Sequence, residues 1–509
     1  MKTKIQQVIN FLFMKNNYLI ALVILLTLVI RLVSLQLLDD SGDSKYYMEH
    51  VKQLLGGLPY EFNHWSARFA IILPVSFIRF ITNDVAIGAY ILPIIFSVLT
   101  AFLVMKIAIL MENVEAGVLA AILLVVYPEM IRESSQILPG IFSMVYMLSA
   151  LYFLLLYVLK KQHIIFVMLS AIFVFLAYGT HIINLFFAPG LLLIILFNGK
   201  KPWKAVICFA GLLLVLFLAE TLLYHLFTDF SLGRIDVIRG SHLSGNESLR
   251  HIAVWELFFR FVRPGPVFVV FFILSIYFAV KCVRDKNYKL MTLFLPVCTF
   301  FIIMLLALKS VVPLVPALPF NSRYMDVSIP FIILFSSFFI TTIFIKYFSK
   351  EKLKMILPVL SIFVLFVMII IFRSNIVCHP LVYISNADKL LDKTIAANIP
   401  LIYSRQDSSN YCDSKEDIDK VDFETKEEYI RINKNIDYIN AFFINTGMMF
   451  KRETVIMPNG IKVLLCVSQE SAADKNRNEY LAVPENPLLL TRRRPLILNE
   501  ITIADYKKY

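Results

Sequence analysis

Long apolar runs separated by short polar links make up the first three quarters of this chain. Runs at 18–38, 84–110, 115–128, 139–159, 164–180, 182–198, 205–228, 265–281, 290–308, 324–345 and 355–373 predict eleven spanning helices, since about 20 apolar residues cross a bilayer. The run at 115–128 is short and passes into a polar stretch, 129–138. A further apolar segment, 68–82 (RFAIILPVSFIRFIT), carries Arg68, Pro74 and Arg79 and predicts an interfacial or re-entrant helix rather than a span. The link after the first run, Asp39 to Trp65, is unusually acidic; in it Tyr47, Val51, Leu54 and Leu55 recur at helical spacing, predicting a helix along the membrane surface.

From about Ser374 the pattern turns polar, with short apolar runs at 400–404, 438–445 and 461–468 that read as buried strands around an exposed helical stretch. The expected architecture is therefore mainly α: a polytopic transmembrane bundle over 1–373, followed by a small α/β domain over 374–509 on the far side of the membrane from the N-terminus.

Composition agrees with a membrane protein: 59% of the 509 residues are hydrophobic and 17% charged, against about 45–50% apolar in soluble domains. The net charge of +12 does not point to nucleic acid, because the basic residues sit in short links between apolar runs. With the N-terminus inside, the inner links hold 16 Lys and Arg in 50 residues and the outer loops 10 in 90, the asymmetry of a cytoplasmic N-terminus. An odd number of spans then leaves the C-terminal domain extracytoplasmic. No small-residue cleavage site follows the N-terminal segment, so the first run is expected to stay as an anchor. Cys208, Cys282 and Cys298 lie in or beside spans as small hydrophobes, whereas Cys412 and Cys466 could pair in an oxidising compartment.

The acidic link is the first candidate for chemistry. A hydroxyl acceptor is a weak nucleophile, and a positioned carboxylate that takes its proton contributes about 10²- to 10⁴-fold in rate; Asp43 is the candidate. The plainer alternative is that Asp43 caps the surface helix, which leaves Asp39 and Asp40 unexplained. A phosphate leaving group would need cations, and Arg68, Arg132, Arg263 and Arg323 stand on the outer side, with a local ion pair to Glu129 or Glu133 as the alternative for Arg132. The loop 229–264 carries five Arg, two His and Trp255, a set that can grip a phosphate head or an acidic glycan, but it reads more readily as a solvated amphipathic loop. Tyr46, Tyr47, His64 and Trp65 are candidates for sugar contacts or interface anchors, and His181 and Asn184, at a tight outer turn, for sugar contacts.

Three segments resemble the C-type (GT-C) membrane glycosyltransferases, the group that contains protein O-mannosyltransferases and the lipid A aminoarabinose transferase. They are GDSKYYMEHVKQLLGGLPY after the first span, VYPEMIRESSQILPGIFSMVYMLSALYFLLLY, and NSRYMDVSIPFIILF late in the bundle. The resemblance covers about 1–345 and implies an inverting transfer of a sugar from a polyprenyl-phosphate donor to an outer-face lipid, glycan or protein. Asp43 is followed by Ser44 where the family often has Asp-Glu, so a second acid would be Asp40, Asp39 or Glu49. No cofactor is implied with certainty; one acidic loop does not make a metal site, and a divalent ion stays open. Two other classes fit parts of the pattern: a transporter or flippase of a lipid-linked sugar, and a surface anchor. Transporters show repeats that are not visible in this sequence, and an anchor does not need eleven spans.

Overall fold

The computed structural model describes residues 17–35, 43–56, 62–82, 85–161, 163–199, 202–228, 233–237, 265–310, 315–316 and 324–372, and six strand segments between 402 and 503. By its internal contacts the chain divides into two units, Met1–Ser34 with Tyr46–Ile371, and Leu35–Lys45 with Phe372–Tyr509.

The first unit is helical: α1 (Asn17–Val33), α2 (Asp43–Gly56, begun in the other unit), α3 (Phe69–Thr82), α4 (Val85–Leu110), α5 (Val114–Val126), α6 (Pro128–Glu133), α7 (Pro139–Lys160), α8 (Ile165–Thr180), α9 (Ala188–Asn198), α10 (Pro202–Phe227), α11 (Pro266–Arg284), α12 (Tyr288–Met291), α13 (Leu295–Leu306), α14 (Ile329–Tyr347) and α15 (Lys350–Ile371). Six segments are long and apolar enough to cross a membrane: Tyr90–Leu110, Pro139–Lys160, Pro202–Leu226, Pro266–Arg284, Asp326–Tyr347 and Lys350–Ile371. The protein is an integral membrane protein by that measure. The other five expected runs form apolar helices of 10 to 17 residues, as does α3. The run at 182–198 is divided into a 3-10 turn, Ile182–Phe187, and α9.

The core lies around α7, which packs on α4, α8 and α9, while α5 packs on α4 and α14. The inward faces of α7 and α14 are nearly all buried, whereas α10 and α15 turn Leu222, Leu226, Phe363 and Phe366 outward, as helices facing lipid would. Buried polar groups bind the helices where hydrocarbon cannot. Arg31 in α1 donates from Nε to Ser97 Oγ of α4 at 2.7 Å and from Nη2 to the Leu124 carbonyl near the end of α5 at 3.4 Å. Ser275 of α11 and Ser336 of α14 are 2.9 Å apart, and each donates to a carbonyl of the other's helix, Ile332 at 3.1 Å and Phe271 at 2.9 Å.

In helix α2 the expected stripe is only partly the buried one. Tyr47 and Val51 are fully buried, but Leu54 and Leu55 are 44% and 39% exposed; Met48 and His50 lie inward with the first pair. Between 308 and 316 a two-stranded pairing joins β1 (Leu308–Ser310) to β2 (Val315–Pro316).

In the second unit the described segments after residue 372 are strands: β3 (Ile402–Tyr403), β4 (Ala441–Asn445), β5 (Met448–Ile456), β6 (Lys462–Gln469), β7 (Asn478–Pro484) and β8 (Glu500–Ile503). They pair in the order β3-β8-β7-β6-β5-β4, every neighbour antiparallel. The expected exposed helix between 404 and 440, and Cys412, fall outside the described residues.

Candidate functional site

One end of the helical unit gathers the turn between α5 and α7, the turn after α8, the start of α3 and the entry to α14. Helix α6 is short because Pro128 and Pro139 bracket the turn, each at the first position of a helix where its missing N–H costs nothing. That turn presents Arg132 and Glu133 side by side. Across 194 residues of sequence, Asp326, in the 3-10 turn Asp326–Ser328 that leads into α14, reaches the same guanidinium.

Arg132 Nη2 donates to Glu133 Oε1 at 3.2 Å and to Asp326 Oδ2 at 3.4 Å. The acids are buried, at 2% and 1% side-chain exposure, while the Arg132 side chain is 39% exposed. Glu133 is further fixed by the Ile141 N–H, which donates to Oε2 at 3.2 Å at the start of α7. Burial opposes the Arg132 charge, but Glu133, Asp326 and Glu129 outweigh it and raise its pKa above the ordinary value. Tyr127, at the N-cap of α6, is buried. Tyr127 OH, Arg132 Nε and Asp326 Oδ1 are buried without a hydrogen-bond partner. Glu133, Asp326 and Tyr127 were not among the expected site residues.

A second group forms around Arg68. Its Nη1 donates to Tyr47 OH, and its guanidinium carbon lies 5.7 Å from the centre of the Tyr47 ring. The start of α3 is pinned by Tyr146 OH, which donates to the Ala70 carbonyl at 3.0 Å. Beside it Trp65 is sandwiched: its centroid is 4.0 Å from Tyr46 and 3.6 Å from His64. The turn is ordered by Asn63, whose Oδ1 accepts from the Trp65 and Ser66 N–H groups, each at 3.0 Å, and lies 3.1 Å from His50 Nε2.

His181 and Asn184 part company. His181 is half-buried, receives the Ile183 N–H on Nδ1 at 3.4 Å and faces Tyr324 with ring centres 4.7 Å apart, two residues from Asp326. Asn184 is buried, and its amide nitrogen is spent on Ser143 Oγ at 2.8 Å, the Ala177 carbonyl at 2.8 Å and Thr180 Oγ1 at 3.0 Å. It holds α8 to α7.

A third cation in this region, Arg234, is buried 3.8 Å from the Tyr178 ring centre and 3.7 Å from Glu220 of α10. It donates to the Tyr178 carbonyl and so closes the end of α8. Asp43 stands half-buried in the first turn of α2, where a carboxylate meets the positive end of the helix dipole. Asp39, Asp40, Arg263, Arg323 and the side chain of Glu49 lie outside the described residues. Among the described residues no three His, Cys, Asp or Glu side chains converge as a metal site.

No protein-family model and no curated protein sequence matches this chain. Solved structures do. The oligosaccharyltransferase of Archaeoglobus fulgidus, in complex with Zn and sulfate, is 14% identical with a TM-score of 0.42, over 69% of this chain and 52% of that one. The archaeal oligosaccharyltransferase AglB of the same organism, in complex with an inhibitory peptide and a dolichol-phosphate, is 12% identical with a TM-score of 0.38, over 69% and 55%. The chain thus matches about half the length of those proteins.

Proposed function

We propose that this protein is a GT-C-type membrane glycosyltransferase that moves a sugar from a polyprenyl-phosphate donor to an outer-face acceptor, with inversion. The donor is a lipid phosphate, the class to which the dolichol-phosphate of the AglB complex belongs. The observation that carries the reading is the placement of charge. Arg132 and Arg68 are both held, by buried Glu133 and Asp326 and by Tyr47, at one end of the helical unit. Guanidinium groups at headgroup depth suit a phosphate attached to a lipid chain.

In this reading the bundle has eleven spans over 1–373, with the N-terminus cytoplasmic. The region 374–509 is an extracytoplasmic α/β domain. Asp43, at the head of α2, takes the proton of the acceptor hydroxyl. The acceptor oxygen bonds to the sugar carbon as its bond to phosphate breaks, and the phosphate leaves with the electron pair, stabilised by Arg68 and by Arg132. Arg263 and Arg323 complete the phosphate ligands, and His181, Tyr46 and His64 contact the sugar.

The test is Asp43→Asn in the full-length protein, assayed with a polyprenyl-phosphate sugar. Transfer should fall by about 10²- to 10⁴-fold while donor binding persists. Turnover at the wild-type rate would remove Asp43 as the base, and donor bound and moved across the bilayer without bond cleavage would make the protein a flippase.

A further inference from the structure

The pairing at Arg132 is unbalanced. Two buried carboxylates, Glu133 and Asp326, approach one nitrogen of one guanidinium. Only one oxygen of Asp326 meets Arg132; its other oxygen, Oδ1, is buried with no hydrogen-bond partner among the described residues. The other charged or titratable groups that bear on Asp326 and Tyr127 here are Glu129, which adds negative charge, and Arg132 itself. Like charges at this spacing in a buried site do not both ionise. With both acids charged the corner would carry a net negative charge, and the exposed edge of Arg132 would repel an anion.

We propose that Glu133 and Asp326 share a single proton at neutral pH, and that this proton leaves Arg132 free to bind a phosphate monoester. The chemistry is the same for a lipid phosphate and for free phosphate; the choice of the lipid rests on the transferase reading. The pair is a positioning device: it holds Arg132 and sets the charge around it without touching the reacting atoms. A phosphate on the open edge of Arg132 meets one negative charge fewer while the pair keeps its proton than once it is lost, so binding should weaken as pH rises. A purely structural clamp would give no such dependence.

Two readouts test this on the full-length protein in lipid nanodiscs. Infrared difference spectra should show at neutral pH a protonated-carboxyl band that disappears in both Glu133→Gln and Asp326→Asn, because each variant leaves one acid ionised against Arg132. Binding of a short-chain prenyl phosphate and of inorganic phosphate should weaken up to about tenfold per pH unit above the titration midpoint. In Glu133→Gln, which imitates the protonated pair, binding should hold at high pH and lose its slope; Arg132→Gln should lose it throughout. A wild type without the band, or a Glu133→Gln variant that keeps the full slope, overturns the proposal. A band with binding of inorganic phosphate alone would uphold the shared proton and count against the lipid donor, so the two failures are separable.

Discussion

Glu133 reaches Arg132 and the start of α7 because the residue opposite it has no side chain. A Cβ at Gly140 would lie 2.5 Å from Glu133 Oε2 and 2.8 Å from its carboxyl carbon. Gly140→Ala should therefore push the carboxylate off the Ile141 N–H and away from Arg132, destabilising the fold by about 1–3 kcal/mol and weakening phosphate binding, as read by thermal unfolding and by prenyl-phosphate titration. Asn184 is a different kind of site. Its three donor contacts lie inside the bundle, and Asn184→Ala would remove the donor that the Ser143 and Thr180 hydroxyls share, while the Ala177 carbonyl keeps the His181 N–H and the Thr180 hydroxyl. A loss of about 1–3 kcal/mol with unchanged turnover of the remaining folded protein would mark it as structural. A large fall in turnover at unchanged stability would return it to the sugar site. The tight outer turn drew attention to His181 and Asn184 together; what divides them is the ring of Tyr324 on one side and the face of α7 on the other, partners 143 and 41 residues away in sequence.

At the scale of elements, apolar runs were legible as helices because the membrane imposes their composition, but their lengths were not. Helices α5, α8, α9 and α13 are shorter than the roughly 20 residues of a straight span. Helix α2 was legible in position, yet its inward face follows Tyr47, Met48 and Val51, while Leu54 and Leu55 stay exposed among the described residues. Asp326 was hidden for the opposite reason: it sits at the head of an apolar run and acquires its meaning only from Arg132, 194 positions earlier. Helix contact also explains Gly190. A Cβ there would lie 2.4 Å from Pro296 Cα and 2.7 Å from the Leu295 carbonyl, backbone atoms that cannot yield unless α9 and α13 separate. Gly190→Ala should lower the unfolding temperature in detergent, costing about 1–3 kcal/mol, whereas Gly211→Ala, which meets nothing within 4 Å, should be neutral or gain up to about 1 kcal/mol from helix propensity. Equal effects at the two positions would contradict the close approach of α9 and α13.

For the molecule as a whole, the decisive quantity is which way round it sits in the membrane, since an acceptor on the outer face requires the Arg132 end to be there. The opposite end of the helical unit is knit by basic residues. Lys289 bonds Glu112 at 3.2 Å, and Lys350 lies 3.6 Å from buried Glu115, so the α4–α5 turn is tied to the links before α13 and α15. These belong to the lysine-rich set, 16 Lys and Arg in 50 residues, which the excess of positive charge in cytoplasmic links would assign to the inner side. The orientation can be read with single cysteines in a background freed of the native six. Asn246→Cys, in the loop 229–264, should react with a membrane-impermeant thiol reagent on intact cells, and Asn287→Cys, in the link between α11 and α12, should react only in inside-out vesicles. The reverse pattern would put Arg132, Asp326 and Arg68 on the cytoplasmic side, and an outer-face transfer would then be excluded whatever the chemistry of Asp43.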